Sequence, residues 1–327
     1  MTDANVLPAE TIGPTLLGRL QWAIRKGGIV IPFIIVFVIL SIVSGPFLRF
    51  QNLTNILDQQ SAIIIVAAAG TLVLIAGGID LSIGAIYGLA GATAAQLAVS
   101  FGPPIGIVAA LGVGLAAGLA NGVIVTRFRI NPLIGTLAMS FVIGGIGAIA
   151  THGNLVVVFD HPEFQTFAAT KIFGITSAAW MMIVLAIAAA ILLSRTTFGR
   201  YVYATGGNAE AARLGGVRIN TVRVATYALS GMAAALAGTL DASRTLSAQA
   251  SAGSFLTFTV LTGIIVGGTS ILGGEGSVQR TFIGCLFVAL VANGFNLLGL
   301  DPFYQQVTLG IILLLAVGTD AWSRRQD

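Results

Sequence analysis

Residues 75–84 read IAGGIDLSIG, and how they are read decides the fold. They lie inside a 40-residue apolar run, 61–100. As one helix that run would be about 60 Å long at 1.5 Å per residue. This is about twice the ~30 Å hydrocarbon core of a bilayer. The chain must therefore turn within it, and Gly77-Gly78 followed by Asp80 and Ser82 is the one strong interruption. The run 257–299 poses the same problem and has the same kind of break, GGTSILGGEGS at 267–277. Asp80 places a carboxylate among Ala, Ile, Val, Leu and Gly. Because Asp80 and Ser82 precede the second half of the run, they are placed to cap the N-terminus of the next helix. The alternatives are gating or coupling near the inner face, and direct substrate contact.

The whole chain fits a membrane setting. Of 327 residues, 56% are hydrophobic and 9% charged, with mean hydropathy +0.96. A soluble domain is about a quarter charged, so there is too little polar surface here to cover a globule in water. The chain is an all-α integral membrane protein. Its net charge of +4 does not mark a nucleic-acid binder, because the basic residues sit between apolar runs, as topology signals do. Residues 1–27 are polar and lack the apolar core of a signal peptide, so the first apolar run is expected to stay as a transmembrane helix. Cys285 is the only cysteine, which excludes an intrachain disulfide and fits a small core residue.

About ten transmembrane helices are expected, at 28–46, 61–77, 83–100, 105–125, 133–150, 178–194, 224–243, 257–272, 281–299 and 304–320. With the N-terminus inside, alternation puts Arg19, Arg25, Lys26, Arg127, Arg129, Arg195, Arg200, Arg213, Arg218, Arg223, Arg280, Arg324 and Arg325 on the inner side. Only Arg49, Lys171 and Arg244 fall outside. That asymmetry is the positive-inside rule and places both termini in the cytoplasm. The expected organisation is a cytoplasmic N-terminal segment 1–27, one transmembrane domain 28–320 and a cytoplasmic tail 321–327. The largest loops are 195–223 inside and 151–177 outside. The two glycine breaks also echo each other: IAGGIDLSIG and IVGGTSILGG match at Ile75/Ile265, Gly77/Gly267, Gly78/Gly268 and Gly84/Gly274. In a chain this rich in Gly and Ile, duplication and chance explain that match equally well.

Small residues recur every fourth position in the fourth span, at Gly106, Ala110, Gly114, Gly118 and Gly122, a stripe that lets another helix approach closely. Gly84, Gly88 and Ala92 suggest the same in the third span. Polar residues inside spans are costly and therefore informative. Asn293 and Asn296 share a helix face by their spacing of three. Asn121, Gln96, Thr262 and Ser270 are further candidates. They read either as interhelical hydrogen bonds or as a weakly polar path for a neutral, hydroxyl-rich solute. No Asp/Glu/His relay for proton coupling and no row of arginines for voltage sensing lies mid-span. No catalytic role is expected. His152, Asp160, His161 and Glu163 fall in the external stretch without metal-ligand spacing, and neither a nucleophile motif nor a phosphate-binding G-x-x-x-x-G-K-[ST] loop is present.

The inner loop 195–223 is the best patterned polar segment. Asn208 is a good N-cap, Glu210 follows in the first turn, Arg213 sits in the last, and Gly215-Gly216 stop the helix. A short, capped helix on the cytoplasmic face is a shape suited to docking a partner.

Several segments together, GGIDLSIGAIYGLAGA, YATGGNAEAARLGGVRINTVRVATYALSGMAAALAG, LSAQASAG, VGGTSILGGEGSVQRTFIG and ANGFNLLGL, resemble the ribose-type permease family of bacterial ABC importers, in the same order over about residues 50–320. The resemblance implies a multi-pass inner-membrane permease that pairs with a second permease copy. Two ATP-binding-cassette ATPase subunits would sit below and a periplasmic sugar-binding protein above. ATP and magnesium would be bound by those ATPase subunits and no cofactor by this chain. It further implies that Gly206, Gly207, Asn208, Glu210, Ala211, Arg213, Leu214 and Gly215 contact the ATPase. The substrate would be a monosaccharide or related small polyol, moved by alternating access. Family members often carry an acidic pair after the AG motif; here AGSFLTFTV has Thr257 and Thr259 instead. The residues alone leave a second reading, a self-sufficient secondary transporter or channel built on its broken helices.

Overall fold

The computed structural model describes residues 28–323. Residues 1–27 and 324–327, with Arg19, Arg25, Lys26, Arg324 and Arg325, lie outside the described part. Among the described residues the chain forms α1 (Val30–Val43), α2 (Phe50–Ile75), α3 (Ile83–Phe101), α4 (Pro103–Arg127), α5 (Pro132–Thr151), α6 (Thr166–Ala169), α7 (Ser177–Arg195), α8 (Thr197–Gly207), α9 (Ala209–Leu214), α10 (Ile219–Thr245), α11 (Leu256–Val266), α12 (Val278–Leu297) and α13 (Pro302–Ser323). Two-residue strands β1 (Val156–Val157) and β4 (Ser247–Ala248) pair antiparallel, as do β2 (Lys171–Ile172) and β3 (Ile175–Thr176).

Each expected span falls on a helix. Six of these, α2, α3, α4, α5, α7 and α12, are long and apolar enough to cross a bilayer by length and composition. The helix starts follow local chemistry. Pro103 opens α4, where a missing N–H costs nothing, and Asn131 caps α5 by accepting from the Leu133 amide at 3.0 Å ahead of Pro132. Helix α2 begins eleven residues before the apolar run that predicted it, because its first three turns are rich in polar residues, while Leu53 and Ile56 among them pack against α1 and α12.

The centre is α10, packed most extensively on α4 and α3. The α4 stripe explains the fit. A Cβ on Gly114 would overlap the Gly231 carbonyl, one on Gly118 the Tyr227 carbonyl, and one on Gly122 the backbone of Val224. Close backbone approach replaces the hydrophobic driving force that lipid cannot supply. Tyr227, Leu72, Ile75, Ile86, Leu240 and Ile264 are fully buried, whereas Ile149, Val184 and Ile187 are exposed on apolar outer faces. Such outward apolarity is what lipid contact requires.

Both glycine breaks are real interruptions: 76–82 separates α2 from α3, and 267–277 separates α11 from α12. The third-span glycines depart from expectation. Gly84 and Gly88 pack not on a helix but on the non-helical segment 249–255, against the carbonyls of Gly253 and Ala250.

Candidate functional site

Segment 76–82 climbs beside α10 as it leaves α2. The Ala76 carbonyl accepts from Arg223 Nε (3.4 Å), the Ile79 carbonyl from the Tyr227 hydroxyl (3.1 Å), and Asp80 Oδ2 from the Ser230 hydroxyl (2.9 Å). Ser230 is eleven residues into α10, about 16 Å along a helix about 40 Å long. Helix α3 therefore starts deep in the bundle, not at the end where α10 begins. On the opposite course, the chain leaves α10, forms β4, continues without helix through 249–255 and only then begins α11, which has 11 residues. The N-termini of α3 and α11 meet: the Gly84 amide donates to Thr257 Oγ1 at 3.1 Å, and a Cβ on either Gly84 or Gly253 would overlap the other's carbonyl. Two helices, the 19-residue α3 and the 11-residue α11, thus begin inside the bundle with unwound backbone before each, the arrangement by which transporters build sites at depth.

A cavity of about 410 Å³ opens beside this junction, bounded by α3, α5 and residues 250–258. Its polar lining is Ser140, Ser251, Ser254 and Thr257; its aromatic lining is Phe141 and Phe258. No lining residue is charged.

Beneath the junction lies a buried polar cluster. Asp80 Oδ1 accepts from the Ser82 amide (3.1 Å) and hydroxyl (2.7 Å), and Ser82 Oγ accepts from Asn121 Nδ2 (2.6 Å). Asp80, Ser82, Asn121 and Ser230 are all at most 3% exposed. Ser82 precedes α3, but its hydroxyl donates to Asp80 and accepts no helix amide. The Asn121 Oδ1 atom is buried without a partner.

At the end of the bundle where α10 begins, α8 and α9 fill most of what the sequence presented as a loop. Asn208 Oδ1 accepts from the Ala211 amide (3.0 Å) at the start of α9. Glu210 and Arg213 form an exposed ion pair at 2.5 Å, and Arg213 holds the Glu210 carboxyl below its usual range. The Gly215 amide returns to the Ala211 carbonyl and Gly216 takes φ +84°, which ends the helix. Leu214 is 78% exposed. Beside α9 runs a groove of about 670 Å³ that includes Arg129, Arg213, Arg218 and Arg223. Gly206 has a different place from the rest of the set. It presses on both glycine breaks, against the Ile75 carbonyl and the Gly274 amide, which hydrogen-bond to each other at 2.9 Å. Gly207, next to it, has open space where a Cβ would sit.

The remaining sequence candidates scatter. Asn293 exchanges hydrogen bonds with Asn52 (2.9 and 3.2 Å), tying α12 to α2, whereas Asn296 is exposed. Thr262 Oγ1 donates to the Phe258 carbonyl in its own helix, Gln96 to the Ala150 carbonyl, and Ser270 Oγ accepts from the Leu272 amide within the second break. Asn121, Asn293, Asn296, Thr262 and Ser270 thus do not converge, and none lines the cavity. An ionic cluster was also not singled out from sequence. Arg244 pairs with Asp241 and reaches Asp58 Oδ2 at 3.9 Å; Asp58 accepts from Thr176 and Asp241 from the Tyr87 hydroxyl. The signal for it was in the acids themselves, Asp58 and Asp241, each in an otherwise weakly polar helix. The signal for the cavity was the hydroxyl-rich SAQASAGS at 247–254, which hydropathy passes over.

The family described as "Branched-chain amino acid transport system / permease component" matches residues 52–317. The chain is similar to the "Ribose import permease protein RbsC" of Escherichia coli (strain K12), 36% identical over 294 residues, covering 89% of this chain and 92% of that protein. It is 37% identical over 298 residues to the protein of the same name in Bacillus subtilis (strain 168), covering 90% and 92%. It is 32% identical over 337 residues to the "Fructose import permease protein FrcC" of Rhizobium meliloti, covering 99% and 94%. No solved structure matches.

Proposed function

We infer what this chain does from the family to which it belongs, the branched-chain amino acid transport system / permease component family. It is the permease subunit of an ATP-binding-cassette importer for a monosaccharide, a multi-pass protein of the bacterial inner membrane and a transport component rather than an enzyme. The family description alone would permit an amino acid as cargo. The observation that favours a sugar, beyond the relatives' names, is the uncharged cavity at the junction of α3 and α11. A zwitterion would find no lining residue there to pair with its ammonium group, whereas a neutral polyol needs only hydroxyls, amides and ring faces.

The finer organisation follows from the same reading. Ten spans with both described ends facing the cytoplasm suit the charge asymmetry. They also suit the grouping of Arg244 with Asp58 and Thr176 at one end, and of Arg223 with Ala76 near Gly206 at the other. A second copy of the chain completes the pathway, and an external sugar-binding protein delivers the cargo. Two partner ATPase subunits bind ATP and magnesium, and no cofactor belongs to this chain.

The ATPase docks on Asn208, Glu210, Ala211, Arg213, Leu214 and Gly215, with Gly206 and Gly207 behind them. An exposed leucine beside a groove with four arginines offers apolar and cationic contacts to a partner carrying acids. The stroke enters at α9 and passes through Gly206 to both breaks, which the Gly274–Ile75 hydrogen bond holds together. Asp80 and Ser82 anchor the first break to α10 and α4 and so set the position of α3 during switching. Asn121 belongs to that anchor, while Asn293, Asn296, Thr262 and Ser270 tie or flank the surrounding helices.

Reconstitution tests the reading. Liposomes holding this chain, its ATPase and a loaded binding protein should accumulate sugar only with ATP inside the nucleotide-accessible compartment. Sugar uptake by the chain alone, without ATP, would instead identify a self-sufficient transporter.

A further inference from the structure

We propose that the 410 Å³ cavity at the α3–α11 junction is a sugar-contact site within the permease, with Phe141 and Phe258 as ring platforms and Ser140, Ser251, Ser254 and Thr257 as the polar set. The proposal rests on the importer reading and adds the residues that meet the cargo.

The hydrogen bonds already present divide the polar groups into acceptors and donors. Ser140 Oγ spends its proton on the Leu137 carbonyl and Ser254 Oγ on the Ser251 carbonyl, both at 2.7 Å. Their lone pairs are left to accept from a ligand hydroxyl. The first turn of α11 supplies donors. The Leu256 amide reaches the Gly253 carbonyl and the Thr259 amide reaches Phe255, but the amides of Thr257 and Phe258 between them have no acceptor within the helix. A sugar hydroxyl both donates and accepts, so it can use the two sets at once. Phe141 and Phe258 are 74% and 59% exposed, large rings standing open beside these groups. A flat apolar ring beside hydroxyl-directed polar groups matches a pyranose or furanose, which is apolar on one face and polar at its rim. A lipid chain in the same cavity would leave the hydroxyls and first-turn amides facing hydrocarbon. The volume suits a small ligand.

Thr257 joins the site to the moving parts. Its Oγ1 accepts from Gly84 at the start of α3 while the residue itself lies in the first turn of α11. A ligand on this residue therefore touches the hydrogen bond that joins the starts of α3 and α11. This makes the cavity a place where occupancy and helix arrangement affect each other, with weak affinity sufficient because the cargo only passes through.

The test uses the single buried cysteine, Cys285, which gives a clean background once replaced. Ser254→Cys is made in Cys285→Ala and assembled with the ATPase subunits. It is treated with a charged, membrane-impermeant methanethiosulfonate reagent with and without 100-fold molar excesses of ribose, fructose or L-arabinose, and with valine as the control. The proposal expects Ser254→Cys to react and one of the sugars, but not valine, to slow the reaction several-fold. In the same complex, Phe258→Ala should lower maximal uptake about five- to tenfold, the loss of one ring contact. ATPase stimulation by the loaded binding protein should be retained. No reaction at Ser254→Cys would mean that lipid or the second copy covers the cavity. Equal rates with every sugar, protection by valine, or unchanged uptake in Phe258→Ala would likewise overturn the site. The importer reading fails separately, if the unsubstituted complex shows no ATP-dependent uptake.

Discussion

Asp80 and Gly84, four residues apart, meet opposite requirements at the start of α3. Asp80 is held by three hydrogen bonds from Ser82 and Ser230 in a buried position, so its carboxylate must keep acceptors on both oxygens. Replacing it with Asn turns one acceptor into a donor and leaves at least one buried group unmatched, a cost of about 1–3 kcal/mol. Asp80→Asn should lower the apparent melting temperature of the detergent-purified protein, read by loss of the monodisperse chromatographic peak after heating. Gly84 needs the absence of a side chain. Gly84→Val would force the Gly253 backbone away and should cost about 1–3 kcal/mol or more in the same assay, while Gly112→Val, where a Cβ meets nothing within 4 Å, should be near neutral by this measure. Asn52 and Asn293 permit a cleaner measurement, because each donates to the other. A double-mutant cycle with alanine at both positions should return a coupling of about 0.6 kcal/mol, at most about 1.7, as for other hydrogen bonds between membrane helices. A coupling near zero would mean that the pair does not tie α2 to α12.

At the scale of elements, α8 and α9 separate two properties that the sequence presents as one motif. Asn208 caps α9, and Asn208→Ala should destabilise that short helix by about 1 kcal/mol. In co-purification, less ATPase should then be retained on the permease at unchanged permease yield. Gly206 and Gly207 look equivalent in sequence but differ in the fold. Gly206→Ala would push against the Ile75 carbonyl and the Gly274 amide and so pry α8 from both breaks, whereas Gly207→Ala meets open space. Uptake should therefore fall strongly in Gly206→Ala and stay within about twofold of the parent in Gly207→Ala, on the scale of a small surface change. Equal effects would show that the contact with the breaks is not what Gly206 is for.

At the scale of the whole molecule, the arrangement is checked by sidedness. In a Cys285→Ala background, Lys171→Cys should react with an impermeant thiol reagent added outside right-side-out vesicles. Arg213→Cys should react only when the membrane is inverted or opened. Both reacting from one side would remove the alternation of spans on which the inner docking surface depends. The helices as such were legible in the sequence, since each expected span fell on a helix and the two glycine breaks fell where length demanded a turn. The cap at Asn208 and the stop at Gly215-Gly216 were legible too, because caps depend on neighbours a few residues away. The candidate site was much less so. Ser140, Phe141, Ser251, Ser254 and Phe258 come from two distant segments, and the pathway candidates chosen for polarity alone, such as Asn293 and Thr262, satisfy their hydrogen bonds elsewhere.

By itself the sequence determined that this chain lives in a membrane, where its helices lie, where they break and which loop carries a capped helix. These depend on composition and on spacings of at most a few turns. Only the tertiary structure decided the depth of Asp80, the half-length of α11 and the meeting of Gly84 with Gly253 and Thr257. Hydropathy records how apolar a segment is, not how far into the bundle it begins. A segment that enters unwound and turns helical partway can have the same apolarity as one that crosses whole. The difference appears only when its backbone groups are seen to find partners on other helices, as the Ile79 carbonyl does on Tyr227 and the Gly84 amide on Thr257.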